Sequence, residues 1–417
     1  MSRSPDMAAA RVPAHVPPDL VREFSFAAGA DATGDPHRAA DIIFDGPDIF
    51  FSPIAYRGGP AWVVTRLDML REIYQDPQTF SSNSDQFAAE ELYTAADSTG
   101  IGEWKLVPIF YDPPEHTKYR MIVNPIFSPA RIAQLEPGVR ATCVELIDAV
   151  RTRGECEFVE AFARPFPVTI FLRLMGLPLE KTADFVAWEE GLLHARSMEE
   201  AVAARKATGE YLMQVMHERR AAPRDDLSSL LANAQVDGRP VSDREVMGLY
   251  FMFFLAGLDT VTSALGFIYR ELAWQPALQQ QLRDDPSLIP NAIEELLRAY
   301  TIVESHRWVT RDTDFHGVRF RRGDLIMLGT QTSGRDDREF PDPQTIDFRR
   351  ENVRHLAFAS GPHRCIGSHL ARREIKIALE EWLTRMPPFR IKPGDAPRAT
   401  AAGAVWAVTH LPLVWDA

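Results

Sequence analysis

The chain has 417 residues, 45% hydrophobic and 25% charged, with a formal net charge of −12. That length buries a large core, and the acidity argues against broad nucleic-acid binding. Three cysteines, at positions 143, 156 and 365, are too few and too scattered for a disulfide framework or a four-ligand zinc site, and they fit a reducing compartment such as the cytoplasm. Residues 1–40 read as an extended lead-in, and Met1–Leu20 contains no apolar run of signal-peptide or anchor length. Ala61–Thr65 reads as a strand feeding a helix over Leu67–Gln75. A helix is expected after Asp112-Pro113-Pro114, and Ser128-Pro129 marks the start of another. Helical patterns follow over Val139–Arg151, Phe166–Met175, Lys181–Leu193 and Glu199–Arg219. Ala221–Asp226 reads as a loop and Gln235–Pro240 as a turn. A long helix over Asp243–Trp274 ends before Pro276, and Pro286 and Pro290 open a helix that runs through Arg298. The period then changes. Phe315–Phe320 and Leu325–Leu328 read together as a hairpin, and Pro341–Arg350 is irregular. A last helix spans Gly367–Met386, with strands at Trp406–Val408 and Leu413-Val414. No repeat or linker divides the chain, so one mainly α domain with a minor β region is expected over residues 41–417.

Val246–Tyr269 carries one side chain charged at neutral pH, Asp259, and is long enough to span a bilayer. A charge near mid-span is costly there, and no second span accompanies it. The central helix of a large soluble protein explains the same pattern.

Cys365 lies in the run Phe358-Ala359-Ser360-Gly361-Pro362-His363-Arg364-Cys365-Ile366-Gly367, just ahead of a helical pattern. Backbone N–H groups near a helix N-terminus and neighbouring cations stabilise a thiolate, and glycine lets the backbone approach a flat ligand. Ala256-Gly257-Leu258-Asp259-Thr260 sits inside the long helix. Gly257 weakens the helix there, and Thr260 bonds a carbonyl one turn back, which bends helices and opens a notch for a small ligand. Asp259 supplies a carboxylate able to relay protons. Glu295 and Arg298 share one helix face, and His116 and Arg120 share another, suited to binding carboxylates.

These runs resemble the cytochrome P-450 family. Cys365 and its neighbours are similar to the haem-binding loop Phe-Gly-x-Gly-x-His/Arg-x-Cys-x-Gly, with Ala359 in place of the first glycine. The chain is most similar to soluble bacterial members of the camphor hydroxylase type through Asp112-Pro113-Pro114-Glu115, Phe315-His316-Gly317-Val318, Leu370–Glu374, Glu381–Arg385 and Leu411–Asp416. The resemblance implies a triangular, mainly α prism holding haem b, with Cys365 as the axial thiolate and Gly257 beside the cofactor. It implies an acid–alcohol pair, Asp259 and Thr260, that delivers protons for O–O cleavage. Propionates would be met by His116, Arg120, Arg307 and His363. Glu295, Arg298 and Arg350 would form a structural triad that holds the cysteine loop.

The tyrosine that reads a ketone in camphor-type enzymes corresponds to Trp104 here, which puts camphor itself in doubt. Met252, Leu255, Ala256, Val303, Ala404 and Val405 are the further pocket positions, all apolar. They suit a compact cyclic terpenoid or norisoprenoid ketone such as an ionone. The chain has no flavin fingerprint and no iron–sulfur cysteine cluster. The resemblance therefore implies a monomer served by a separate [2Fe–2S] ferredoxin and its FAD reductase, docking at Arg120, Arg364 and Arg372. Two basic positions of the camphor enzyme's docking surface read as Gln78 and Thr117 here, so the native ferredoxin would differ. Alternatives are a haem-thiolate peroxygenase or isomerase that needs no redox partner, and a non-catalytic haem-based gas or ligand-binding protein. The Asp259–Thr260 pair speaks against the first and the apolar pocket positions against the second.

Overall fold

Ser242 and Glu245 cap the longest helix reciprocally. The Ser242 N–H donates to the Glu245 carboxylate at 2.7 Å, and the Glu245 N–H donates to the Ser242 hydroxyl oxygen at 3.4 Å. From this capping box the helix runs unbroken over Asp243–Trp274, as its apolar run predicts. Gln275 ends it and Pro276 opens the next helix, Pro276–Asp284, where a missing N–H costs nothing. It is the one described helix long and apolar enough to cross a membrane, and 67% of its most apolar window is buried inside the protein. That burial is what a core helix requires.

The computed structural model describes residues 12–27, 34–83, 104–193, 197–401 and 403–416. Part of the expected lead-in (residues 1–11 and 28–33) lies outside them. The fold is mainly α with small sheets, and the chain divides into two compact units, each assembled from three separate stretches.

One unit comprises Ala88–Ile289, Ile366–Ala396 and His410–Ala417. Its core gathers Phe171, Leu212, Leu249, Tyr250, Phe254 and Leu258, where the long helix packs on the helices Pro165–Met175 and Met198–Ala221. The helix Ser368–Arg385 packs on Pro129–Asp148, which continues through Pro137 as one helix. The expected helices over Phe166–Met175, Lys181–Leu193 and Glu199–Arg219 all form, with ends shifted by a residue or two. Gln235–Pro240 is a tight two-stranded hairpin. A three-stranded sheet joins Phe389–Ile391, Pro412–Trp415 and Glu155–Glu157.

The other unit comprises Met1–Phe87, Pro290–Cys365 and Pro397–Thr409. Its five-stranded sheet runs in the order Ile49–Tyr56, Gly59–Val64, Leu325–Leu328, Ser305–Val309, Phe80–Ser81. The fully buried Trp62, Ile73 and Ile326 belong to its core. One sequence expectation fails here. Leu325–Leu328 does not pair with Phe315–Phe320; the hairpin is Thr313–Phe315 with Val318–Phe320. Gly323, at φ +92°, turns the chain away, and its N–H donates to the Val309 carbonyl at 2.8 Å. Leu325–Leu328 then pairs antiparallel with Ser305–Val309 and parallel with Gly59–Val64.

Candidate functional site: a cysteine loop and an acid–alcohol helix

Cys365 ends the loop expected to present it, and its N–H donates to the Phe358 carbonyl at 2.9 Å. Of the three free cysteines it is the exposed one. Cys143 is buried with its S–H directed at the Ile377 carbonyl, and burial pushes the Cys156 thiol up to about 12. Only Cys365 therefore offers an accessible sulfur fit to serve as a metal ligand. Gly361 takes φ +66°, and a Cβ there would stand 2.1 Å from the Tyr74 carbonyl oxygen. Its glycine is required by the helix Leu67–Gln75 behind the loop. Ala359, which replaces the family glycine, also adopts a left-handed backbone, at φ +55°.

The segment leading into this loop is fixed by the expected triad. Arg298 reaches Glu295 with two hydrogen bonds of 2.8 Å. Arg350 Nε donates to the same carboxylate at 3.0 and 3.1 Å, and the Asp347 N–H adds another bond at 3.0 Å. Glu295 and Arg298 are fully buried. Burial opposes the charge on Glu295, but Arg298, the Asp347 N–H and Arg350 prevail and hold its carboxyl below the ordinary value. The guanidiniums also bond the carbonyls of Pro341, Pro343 and Thr345. Beside them, His355 sits 3.1 Å from Glu294. Thus an irregular stretch is tied down by charge-assisted bonds rather than by a ladder.

In the same unit, Arg307 is buried over the Tyr74 ring at 5.1 Å. His363 closes a helical turn over Gly361–His363. Val303 bridges to Val405, and the Glu304 N–H donates to the Ala404 carbonyl at 2.8 Å. Sequence reasoning missed Glu304, His306 and Tyr56, which cluster here. The only sequence signal was the alternation of Glu304 and His306 on one strand face.

In the unit that carries the long helix, Thr260 donates to the Ala256 carbonyl at 2.9 Å, as expected. The helix is continuous through this pair. Asp259 is buried and the Ser263 hydroxyl lies 3.4 Å from its carboxylate. A Cβ at Gly257 would stand 3.0 Å from the Phe171 ring, so packing accounts for that glycine. His116 and Arg120 lie one turn apart on the helix Glu115–Val123. His116 is buried, and burial together with the Arg120 charge lowers it to about 4. His116 is therefore neutral at neutral pH, and Arg120 carries the positive charge that suits a carboxylate. Trp104 stacks on Phe251, with ring centroids 5.0 Å apart, and the Arg205 guanidinium sits 5.6 Å from its ring. Its edge borders a cavity of about 380 Å³ shared with Met213, Met216, Asp243, Arg244 and Met247. Met252 and Leu255 are half-buried and Ala256 is exposed.

A family model described as Cytochrome P450 matches residues 192–405. The probable cytochrome P450 127A1 of Sinorhizobium fredii is 40% identical over 412 residues, 97% of each chain. Among solved structures, CYP101J2 superposes with a TM-score of 0.86 at 32% identity, covering 97% of this chain and all of that one. CYP101C1 gives 0.85 at 34% identity with the same coverage. Members of this family are oxidoreductases that bind haem b through a cysteine thiolate, and the accessible sulfur of Cys365, like the guanidiniums of Arg120 and Arg307, is of the chemistry that such a group needs. The chain belongs to the cytochrome P450 monooxygenase family.

Proposed function

We propose that the protein inserts one oxygen atom of O2 into a C–H bond of a compact, apolar cyclic substrate, a terpenoid or norisoprenoid ketone of the ionone kind. Electrons come from a [2Fe–2S] ferredoxin served by an FAD reductase, and the enzyme works as a cytoplasmic monomer. The observation that carries the reading is the single accessible thiol, Cys365, on a loop anchored by the Glu295–Arg298–Arg350 network. Haem b, when bound, supplies the iron at which oxygen is activated. Cys365 would hold it as thiolate, Arg120 and Arg307 would neutralise its propionates, and His116 and His363 would hydrogen-bond them. Asp259 takes up and releases protons within its buried surroundings, while the Thr260 hydroxyl orients the group that receives them. The apolar side chains of Met252, Leu255, Val303 and Val405 exclude water and hold a hydrocarbon skeleton. Arg364, exposed beside Cys365 in the sequence, with Arg120 and Arg372, attracts the acidic ferredoxin.

The spectrum of the purified protein, reduced under CO, tests the first part: a strongly red-shifted Soret band is expected, and a colourless protein refutes it. A ligand panel read by the haem spin shift tests the substrate. Ionones should bind, and tight binding only of fatty acids or charged drugs refutes the assignment. Turnover with peroxide that equals turnover with NADH and ferredoxin would replace the monooxygenase by a peroxygenase.

A further inference from the structure

Two glycines, one on each of two helices, make room for Trp104 and Lys105. A Cβ at Gly209, on the helix Met198–Ala221, would stand 2.9 and 3.3 Å from outer carbons of the Trp104 ring. A Cβ at Gly248, on the long helix, would stand 2.1 Å from the Lys105 carbonyl oxygen. The indole is therefore wedged between the helices, and its stack on Phe251 and the guanidinium of Arg205 hold its plane. Three methionines face this fixed wall. Met213 and Met216, three residues apart, share one face of Met198–Ala221, and Met247 comes from the second turn of the long helix. Their unbranched thioether chains re-pack around what they meet.

These side chains, with Asp243 and Arg244, line the cavity of about 380 Å³. Its polarity is graded. Met216 and Met247 are each 1% exposed and form the floor, whereas Met213 (39% exposed), Asp243 and Arg244 stand at the mouth. Arg220 bonds the Asp243 carboxylate and holds it below its ordinary value, so that acid already has its counter-charge. The lining carries one anion, Asp243, and one cation, Arg244, and so offers no net charge to an ionic ligand. An apolar floor under a charged lip suits a compact apolar molecule whose polar end faces water, and the volume lies in the range of small-molecule sites.

Apart from Trp104, none of the lining residues is among the positions assigned above to the substrate. Leu255, which is, lies eight residues beyond Met247, about 12 Å along the helix axis. One ridge of the long helix, Met247–Phe251–Leu255, joins the two places, and Trp104 lies on its middle member.

We propose that this cavity is a second binding site, which takes a compact apolar molecule of the substrate's class at the edge of Trp104. The assignment rests on the apolar-substrate reading above and deepens it, because indole and thioether walls select the same hydrocarbon surface as the pocket positions. No covalent step is involved.

The test titrates β-ionone into the reduced, CO-bound holoenzyme carrying isotope-labelled methionine methyl groups, read by NMR. In parallel, the haem spin shift of the ferric enzyme reads the substrate pocket. The methyl signals of Met213, Met216 and Met247, each assigned by its Met→Leu variant, should move together along one binding curve. Calorimetry should count two ionone molecules per chain. Met213→Trp, which fills the mouth, should weaken binding to the cavity about tenfold or more, reduce the count to one and leave the spin shift unchanged. Met213→Glu, which sets a carboxylate at the exposed mouth, should do the same and serves if the larger ring disturbs folding. A spin shift with no movement of the three methyl signals overturns the second site alone, and so does a Met213 variant that weakens the spin shift equally. Methyl movement without a spin shift supports the cavity site and refutes ionones as substrates. If neither responds, both readings fall.

Discussion

Glu295→Gln is the sharpest perturbation of the cysteine loop's support. The carboxylate accepts two bonds from Arg298, two contacts from Arg350 Nε and one from the Asp347 N–H, all at 2.8–3.1 Å. The amide keeps one acceptor oxygen and turns an NH2 toward guanidinium donors, so two cations lose their counter-charge. Their remaining bonds to main-chain carbonyls cushion the loss without restoring charge balance. Breaking a buried pair this way costs about 3–5 kcal/mol. For a cooperative unit of 150–250 residues that is a fall in Tm of about 6–20 °C. The lowered Glu295 pKa fixes the pH dependence. Its contribution is present above the ordinary carboxyl range and is lost as pH falls through the lowered folded value. The difference between wild type and variant should therefore hold steady from pH 8 to about pH 5 and close only in stronger acid. Differential scanning calorimetry across that range, with haem content measured on the same samples, gives both numbers. A Tm within 2 °C of wild type at pH 7 (about 1 kcal/mol or less) with full haem content would refute the anchoring argument.

Other perturbations separate the remaining roles. Thr260→Ala should keep NADH consumption but lower product formed per NADH about tenfold, with peroxide in its place; unchanged yield removes the hydroxyl from proton delivery. Glu304→Gln should stabilise the protein above neutral pH. The wild-type acid ionises near pH 4.5 when unfolded and near 7 when folded, so wild-type stability falls as pH rises through that window, by about 3 kcal/mol at most. Urea melts of both proteins at pH 5 and pH 8 read the difference, and a gap that does not widen toward pH 8 contradicts the raised value. Reduction by ferredoxin should slow as salt rises if Arg364 and its neighbours dock it, and a salt-independent rate argues against that surface.

Most helices were legible because their signals are local. Ser242, Glu245 and Pro276 bracket the long helix, and an amphipathic run marks Leu67–Gln75. The central sheet was harder. Pro53 lies inside the strand Ile49–Tyr56, where a proline argues against a strand. Leu325–Leu328 finds its parallel partner more than 250 residues earlier, at Gly59–Val64. Neither register nor partner is written in neighbouring residues. The same division holds for the site. Cys365, Asp259 and the Glu295–Arg298 pair lie in short motifs, and the structure shows Glu295, Arg298 and Arg350 drawn together. The Tyr56–Glu304–His306 cluster depends on burial and on a bent hairpin end, which no short motif records.

Ala359 shows what kind of object the cysteine loop is. A left-handed backbone at a non-glycine residue costs roughly 1–2 kcal/mol, so the residue itself does not ask for the shape it holds. The bonds from Ala359 N–H to Leu356 and from Cys365 N–H to Phe358, with the charged clamp upstream, impose the conformation from both sides. The loop is therefore a mould held by its frame, not a self-folding turn. Excised as a peptide it would lose the shape, while within the protein its sequence has latitude wherever the frame stays intact.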